Sequence, residues 1–223
     1  MSKKYKLITA VMLAFSLVGC ARNNVAMQSF KYHENAKRKP VVAMLPVICR
    51  VDNYLPWNLS EEFTSEIQRR LINHSIVYLN SVDMPEKLRK KLEHQDSIRL
   101  DKNDFHELSA QNDFVVLLEL IDHSEEPYLE AQIAFDQMNE TVDRVLNMKM
   151  RVKVVDLRSE TPKTVLQEIL HVNHLIPRDA LGINYERVVW GSDAYPATAY
   201  GRAHAKLERD LSKQIENYIS IAH

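Results

Sequence analysis

Leu146, Met148, Met150, Val152 and Val154 alternate with Asn147, Lys149, Arg151 and Lys153. A period of two over this length is a β-strand with one dry and one wet face, so the chain must build a sheet and supply something to cover it. Val165 to Ile176, carrying Leu166, Leu170 and Val172, is expected to return antiparallel through the turn around Glu160-Thr161-Pro162-Lys163. Upstream, Leu129, Ala131, Ile133 and Phe135 also sit two apart, with polar residues 136–144 as the connection.

The cover is helical. Asn58 followed by Glu61 has the spacing of a capping box, and Leu59, Phe63, Ile67 and Leu71 then share one helix face. From about Pro196, Ala199, Ala203, Leu207, Leu211, Ile215 and Ile219 recur every four residues to the end, which predicts a long closing helix. Pro85 to His94, with Leu88 and Leu92, reads as a short basic surface helix, and Asn103 as the cap of another bearing Phe105 and Leu108. Val41-Val42-Ala43-Met44-Leu45-Pro46-Val47-Ile48 suits a buried central strand, Ser75 to Asn80 a second, and Phe114 to Ile121 the most apolar strand after the N-terminus. The order predicts one α/β domain over 40–223, a two-layer sandwich with a mixed parallel and antiparallel sheet and a long C-terminal helix.

The N-terminus carries an address. Lys3, Lys4 and Lys6 precede an apolar run from Leu7 to Val18, too short for a bilayer span and of the length of a signal peptide. Leu17-Val18-Gly19-Cys20 resembles the lipobox of bacterial lipoproteins. The resemblance implies that residues 1–19 are removed and that Cys20 is the lipidation site, its thiol taking a diacylglycerol and its new amino group an acyl chain such as palmitate. Several chains together hold a membrane far better than one. Ala21 follows where, in the enterobacterial sorting rule, an aspartate favours the inner membrane, so the outer membrane is the expected address. Residues 20–39 then read as the lipidated cysteine and a basic tether, with Arg22, Lys31, Lys37, Arg38 and Lys39.

Composition narrows the function. The 223 residues carry 29 basic and 30 acidic side chains, so no nucleic-acid partner is expected. Loss of residues 1–19 removes three lysines and no acid, leaving the mature chain mildly acidic. Four glycines, none spaced as G-x-G-x-x-G, speak against the common nucleotide folds. With Cys20 lipidated, Cys49 is expected to be a buried, inert thiol.

The order of elements behind a lipobox resembles the periplasmic lipoprotein domains of the curli-secretion and penicillin-binding-protein-activator group and the N-terminal domain of the Tol translocation protein. Their opening strand is similar to Val41-Val42-Ala43-Met44-Leu45-Pro46 here. The chain departs from the group in having no evident long lipid-facing hairpin and no first-turn glycines. Its general character is also similar to that of uncharacterised chlamydial lipoproteins. The resemblance implies an accessory or assembly role in the cell envelope.

The signals for chemistry are thin. Gly191-Ser192-Asp193 has only part of a serine-hydrolase elbow. His171 and His174 are expected on opposite faces of a strand, which argues against a metal pair. Asp122-His123 with Glu125 and Glu126 reads as a solvated turn at a strand end, and Arg69, Arg70, Lys87, Arg89, Lys90 and Lys91 as a basic helix surface. Trp190, Tyr195 and Tyr200 lie in an aperiodic, aromatic segment and are the candidate interface anchors; the plainer alternative is that they plug the sheet and dock the last helix. The expected function is therefore a non-catalytic, membrane-anchored, protein-binding lipoprotein facing the periplasm. No catalytic residue, no metal and no cofactor other than the lipid on Cys20 is expected. The competing readings are an anchored hydrolase using Asp122-His123 or Ser192-Asp193, and a homo-oligomeric export component.

Overall fold

A computed structural model describes residues 30–80, 86–94, 100–128 and 142–223. Cys20, the signal segment, the first part of the tether and the alternation from Leu129 to Phe135 lie outside the described residues. The strands are β1 (Val41–Met44), β2 (Ile48–Cys49), β3 (Tyr78–Asn80), β4 (Phe114–Pro127), β5 (Val142–Asp156) and β6 (Lys163–Pro177). The helices are α1 (Leu59–His74), α2 (Glu86–His94), α3 (Lys102–Ser109) and α4 (Ala199–Ala222), with short 3-10 turns at Arg178–Gly182 and Tyr195–Ala197.

These strands form one mixed sheet in the order β3-β1-β4-β5-β6, with β2 extending β1 alongside β4. β1 pairs parallel with β3 and β4, whereas β4, β5 and β6 are antiparallel neighbours. The α/β class, the mixed sheet and the long C-terminal helix thus stand as the sequence predicts. Pro46 splits the opening run, because it has no N–H for the ladder. The adjacent Val47 N–H turns instead to Thr64 Oγ1 on α1, at 2.8 Å.

One sheet face carries Val42, Phe114, Val116, Leu118, Leu120 and the five alternating apolar residues of β5, all buried under α1 and α4. Each such side chain contributes about 1.5–3 kcal/mol on burial. Leu88 and Leu92 of α2 and Leu108 of α3 close the opposite face over Ala43, Leu45, Val115 and Leu117. A third layer therefore exists at the β1–β4 end, built from the segment read as a surface helix.

The caps explain the helix boundaries. Asn58 Oδ1 accepts from the Ser60 and Glu61 N–H groups, as the sequence predicts for α1. For α3 the cap is Asp101 rather than Asn103: Asp101 accepts from the Asn103 and Asp104 N–H groups while Asp104 accepts from the Asp101 N–H. Asn103 is already inside the helix, because the reciprocal bond needs an acid three residues after the cap. Residues 30–39 make a bridge between Tyr32 and Arg38, and Lys39, nearly fully buried, donates to Ser75 Oγ at 2.6 Å. No helix among the described residues is long and apolar enough to cross a membrane.

Candidate functional site

The seam between α1 and α4 is polar although it is buried. At steps of four or eight residues along one face, α1 presents Glu62, Arg70 and His74 while α4 presents His204, Glu208 and Glu216. They meet in register: His204 Nδ1 lies 2.8 Å from Glu62 Oε1, Arg70 Nη2 3.1 Å from Glu208 Oε2, and His74 Nδ1 2.9 Å from Glu216 Oε2. The ascending register on both helices makes them run parallel.

At the N-terminal end of this seam the polar groups converge on Glu62, which is 0% exposed. Trp57 Nε1 donates to its Oε2 at 2.7 Å, and the Tyr195 hydroxyl and His204 Nδ1 reach its Oε1. Burial alone raises the Glu62 carboxyl, but the nearby His204 charge and these three hydrogen bonds outweigh it and hold the group below its ordinary value.

Tyr195 arrives there through a contact that only glycine permits. Thr198 caps α4 by accepting from the Gly201 N–H at 2.9 Å, and a Cβ at Gly201 would overlap the Tyr195 carbonyl. The helix start and the 3-10 turn are thereby pressed together, and the Tyr195 hydroxyl is held beside Glu62 and His204.

His123 extends the network to the surface. Without interruption, β4 would place even-numbered residues on the face covered by α4. The irregularity between Leu120 and Asp122 shifts the register, so His123 pairs across from Met148 and points inward. Its Nε2 lies 2.9 Å from His204 Nε2 and its Nδ1 3.1 Å from the Tyr54 hydroxyl. Tyr54 is 3.0 Å from the Tyr200 hydroxyl, which donates to Glu125. Burial first, then the charge of His204, drives His123 down to about 3, so it stays a neutral imidazole at neutral pH. Burial likewise raises Tyr54 and Tyr200, keeping both as phenols.

This outer end opens into a cleft of about 1260 Å³, whose walls include Tyr54, His123, Glu125, Leu181, Tyr185 and Tyr200. Tyr54 is 53% exposed and Leu181 41%. Beside them Arg144 pairs with Glu125 at 3.1 Å and Lys149 with Asp122 at 2.9 Å, and Asp52 and Glu186 add acidic groups to the cleft lining.

The sequence candidates are distributed unevenly over this site. Tyr195 and Tyr200 are both buried, Trp190 is half-buried against the core, and the three do not make one exposed face. Asp122, His123 and Glu125 belong to the body of β4, not to a solvated turn, because the bulge continues the strand beyond its apolar half. Ser192 donates to the Val189 carbonyl at 2.7 Å. His171 is exposed on β6 and His174 half-buried. Cys49 is half-buried, and burial pushes its thiol up to about 11. Among the described residues no group of three or more His, Cys, Asp or Glu side chains is arranged to hold a metal ion. Glu62, His204, Tyr54 and Tyr185 were not legible as site residues.

The fold and this network define an α/β domain with a buried polar seam running out into an open cleft. The chain belongs to a family of unknown function (DUF7499), whose model matches residues 28–223. No curated protein matches it. Among solved structures it is similar to the hypothetical protein CT253 from Chlamydia trachomatis, at 27% identity and a TM-score of 0.64 over 81% of this chain and 98% of that one. Structural neighbours also include bacterial lipoproteins. GNA1162 from Neisseria meningitidis is 11% identical with a TM-score of 0.36, covering 60% of this chain and 79% of its own. The LpoB C-terminal domain from Salmonella enterica is 12% identical with a TM-score of 0.32, over 60% of this chain and 82% of that one. Likeness at these last two levels says nothing about role.

Proposed function

We propose that this chain is an exported lipoprotein, anchored through acylated Cys20 at the periplasmic face of a bacterial envelope membrane, with the outer membrane as the favoured address. It acts as a non-catalytic binding module whose docking surface is the cleft beside Tyr54. One observation carries the binding reading. On the cleft wall His123 is already bonded to Tyr54, and Glu125 to Tyr200 and Arg144, while exposed aromatic and apolar surface at Tyr54 and Leu181 is left for a partner. A ring standing in a cleft with its hydroxyl tied back is a preorganised contact, with little side-chain entropy left to lose.

The anchor is tested by Cys20→Ser, which should leave an unprocessed precursor without acyl mass; a normally trimmed, soluble product would overturn it. The cleft is tested with a photo-crosslinking residue at Leu181 of the membrane-bound protein. A discrete adduct there, absent when the residue is placed at exposed Ile169 on β6 and lost in folded Tyr54→Ala, supports the binding role. The anchored-hydrolase reading has one observation in its favour, since His123 lies on the cleft wall. Absence of any Leu181 adduct, together with loss of the cellular phenotype in His123→Ala of normal stability, would replace the binding reading with it.

A further inference from the structure

Five contacts in a row join Glu62 to Glu125: Glu62 to His204, His204 to His123, His123 to Tyr54, Tyr54 to Tyr200, and Tyr200 to Glu125. Each needs one hydrogen between its heavy atoms. With both carboxylates ionised and both imidazoles neutral, two histidines and two tyrosines bring one hydrogen each to these contacts. The flanking donors do not make up the difference: Trp57 gives its hydrogen to Glu62, and the Tyr195 hydroxyl, which lies against Glu62 Oε1 and also 2.8 Å from His204 Nδ1, has one hydrogen for two contacts. Four hydrogens must serve five contacts.

We propose that this network is a proton-binding site: it stores one proton beyond those of its neutral groups, on His204, and that proton locks Tyr54 into the cleft wall. With His204 as imidazolium, its Nδ1–H goes to Glu62 and its Nε2–H to His123 Nε2. The His123 Nδ1–H then goes to the Tyr54 oxygen, the Tyr54 hydrogen to Tyr200 and the Tyr200 hydrogen to Glu125. Every contact is filled. The count is met equally with the proton on Glu125, once four hydrogens have each crossed their own contact, so the chain conducts a proton between cleft and core without leaving a gap.

The surroundings of His204 favour the inner position. From α1 it faces Glu62, with Glu66 and Arg70 further along; from β4, His123 with Asp122 and Glu125 beyond. From β6 it faces His174, behind which stand Arg202 and Lys206; from the 3-10 turn, Tyr195; from its own helix, Tyr200 and Glu208. Glu62, at 2.8 Å and fully buried, is the charge in direct contact, and only a cation on His204 neutralises it there. When the proton leaves, one contact has no hydrogen and two lone pairs face each other. Tyr54, on the segment between β2 and α1, is the member that turns to water at least cost, so the wall should loosen as pH rises.

The test is nitrogen NMR of the histidines in the folded full-length protein across the neutral range. At neutral pH His204 should carry protons on both nitrogens and His123 on Nδ1 alone. Tyr54→Phe deletes two contacts and one hydrogen, leaving three contacts for three hydrogens. Glu125→Gln offers an amide hydrogen to Tyr200 and completes the chain without the extra proton. Neither residue touches His204, yet each variant should lower its titration midpoint by about one pH unit, a tenfold weaker hold on the proton. Tyr32→Phe, an exposed site away from the network, should leave the midpoint in place. Two neutral imidazoles in the parent protein, a midpoint unmoved in both variants, or an equal shift in Tyr32→Phe would overturn the proposal.

Discussion

His123 and His204 face each other through their Nε2 atoms at 2.9 Å, one from a strand and one from the closing helix, both nearly fully buried. Two imidazoles at that distance cannot both present a lone pair, and two imidazolium ions there would repel strongly. The pair therefore couples the contacts on its two sides: with His204 as the donor across Nε2, a neutral His123 carries its hydrogen on Nδ1, toward Tyr54. A local register shift in β4 and a close approach at Gly201 serve the same end, since without them neither His123 nor Tyr195 would reach the seam.

Gly201→Ala should destabilise the fold by about 1–3 kcal/mol, as for a methyl forced into packed backbone. The obstacle is the Tyr195 carbonyl, which cannot rotate aside as a side-chain tip would. Thermal unfolding would show the fall in midpoint, and tyrosine fluorescence would show whether Tyr195 has left Glu62. A midpoint equal to that of the parent would mean that the turn and helix separate freely.

Glu62→Ala removes the shared acceptor of buried Tyr195 and His204 and of half-buried Trp57, and leaves all three without it. Breaking a buried ion pair from one side costs about 3–5 kcal/mol, enough to unfold many domains. Denaturant unfolding should place Glu62→Gln between the alanine variant and the parent, because the amide keeps an acceptor oxygen. Since the folded protein holds this carboxyl below its ordinary value of 4.5, its contribution is present above that pH and lost as pH falls below it.

Most of the architecture was legible because it rests on apolar periodicity. The faces Leu59-Phe63-Ile67-Leu71 and Leu146-Met148-Met150-Val152-Val154 are buried as their spacing requires. The site was illegible for the same reason. Glu62, His204, Glu208 and Glu216 read as a solvated helix surface when each helix is taken alone, and only their matching four-residue rows on two helices betray a seam. His123 was hidden by the bulge, which reverses the parity that alternation assigns to it.

Cys49 should react slowly with alkylating reagents at neutral pH in the folded protein. Burial holds the thiol at about 11, so almost none is present as the reactive thiolate. Mass spectrometry after timed iodoacetamide treatment should show a large acceleration in denaturant. Rapid labelling under native conditions would contradict the half-buried placement.

Glu208 gives the seam a second pH dependence, opposite in sign to that of Glu62. Burial is the largest influence on it, and the neighbouring Glu62 and Glu66 add to that while His204 and Arg70 oppose it; the balance raises its carboxyl to about 7. A folded value above the ordinary 4.5 means that the native state takes up a proton the unfolded chain has released. Stability from this group is therefore full below pH 4.5 and is lost as pH rises through about 7. Glu208→Gln keeps the shape and cannot ionise, so its unfolding free energy should lack this decline and exceed that of the parent at alkaline pH. The gain should be of the order of 1–3 kcal/mol at the usual cost of about 1.4 kcal/mol per pH unit, reduced by the lost bond to Arg70. Parallel stability curves for the two proteins across this range would show that Arg70, 3.1 Å away, fully compensates the buried charge.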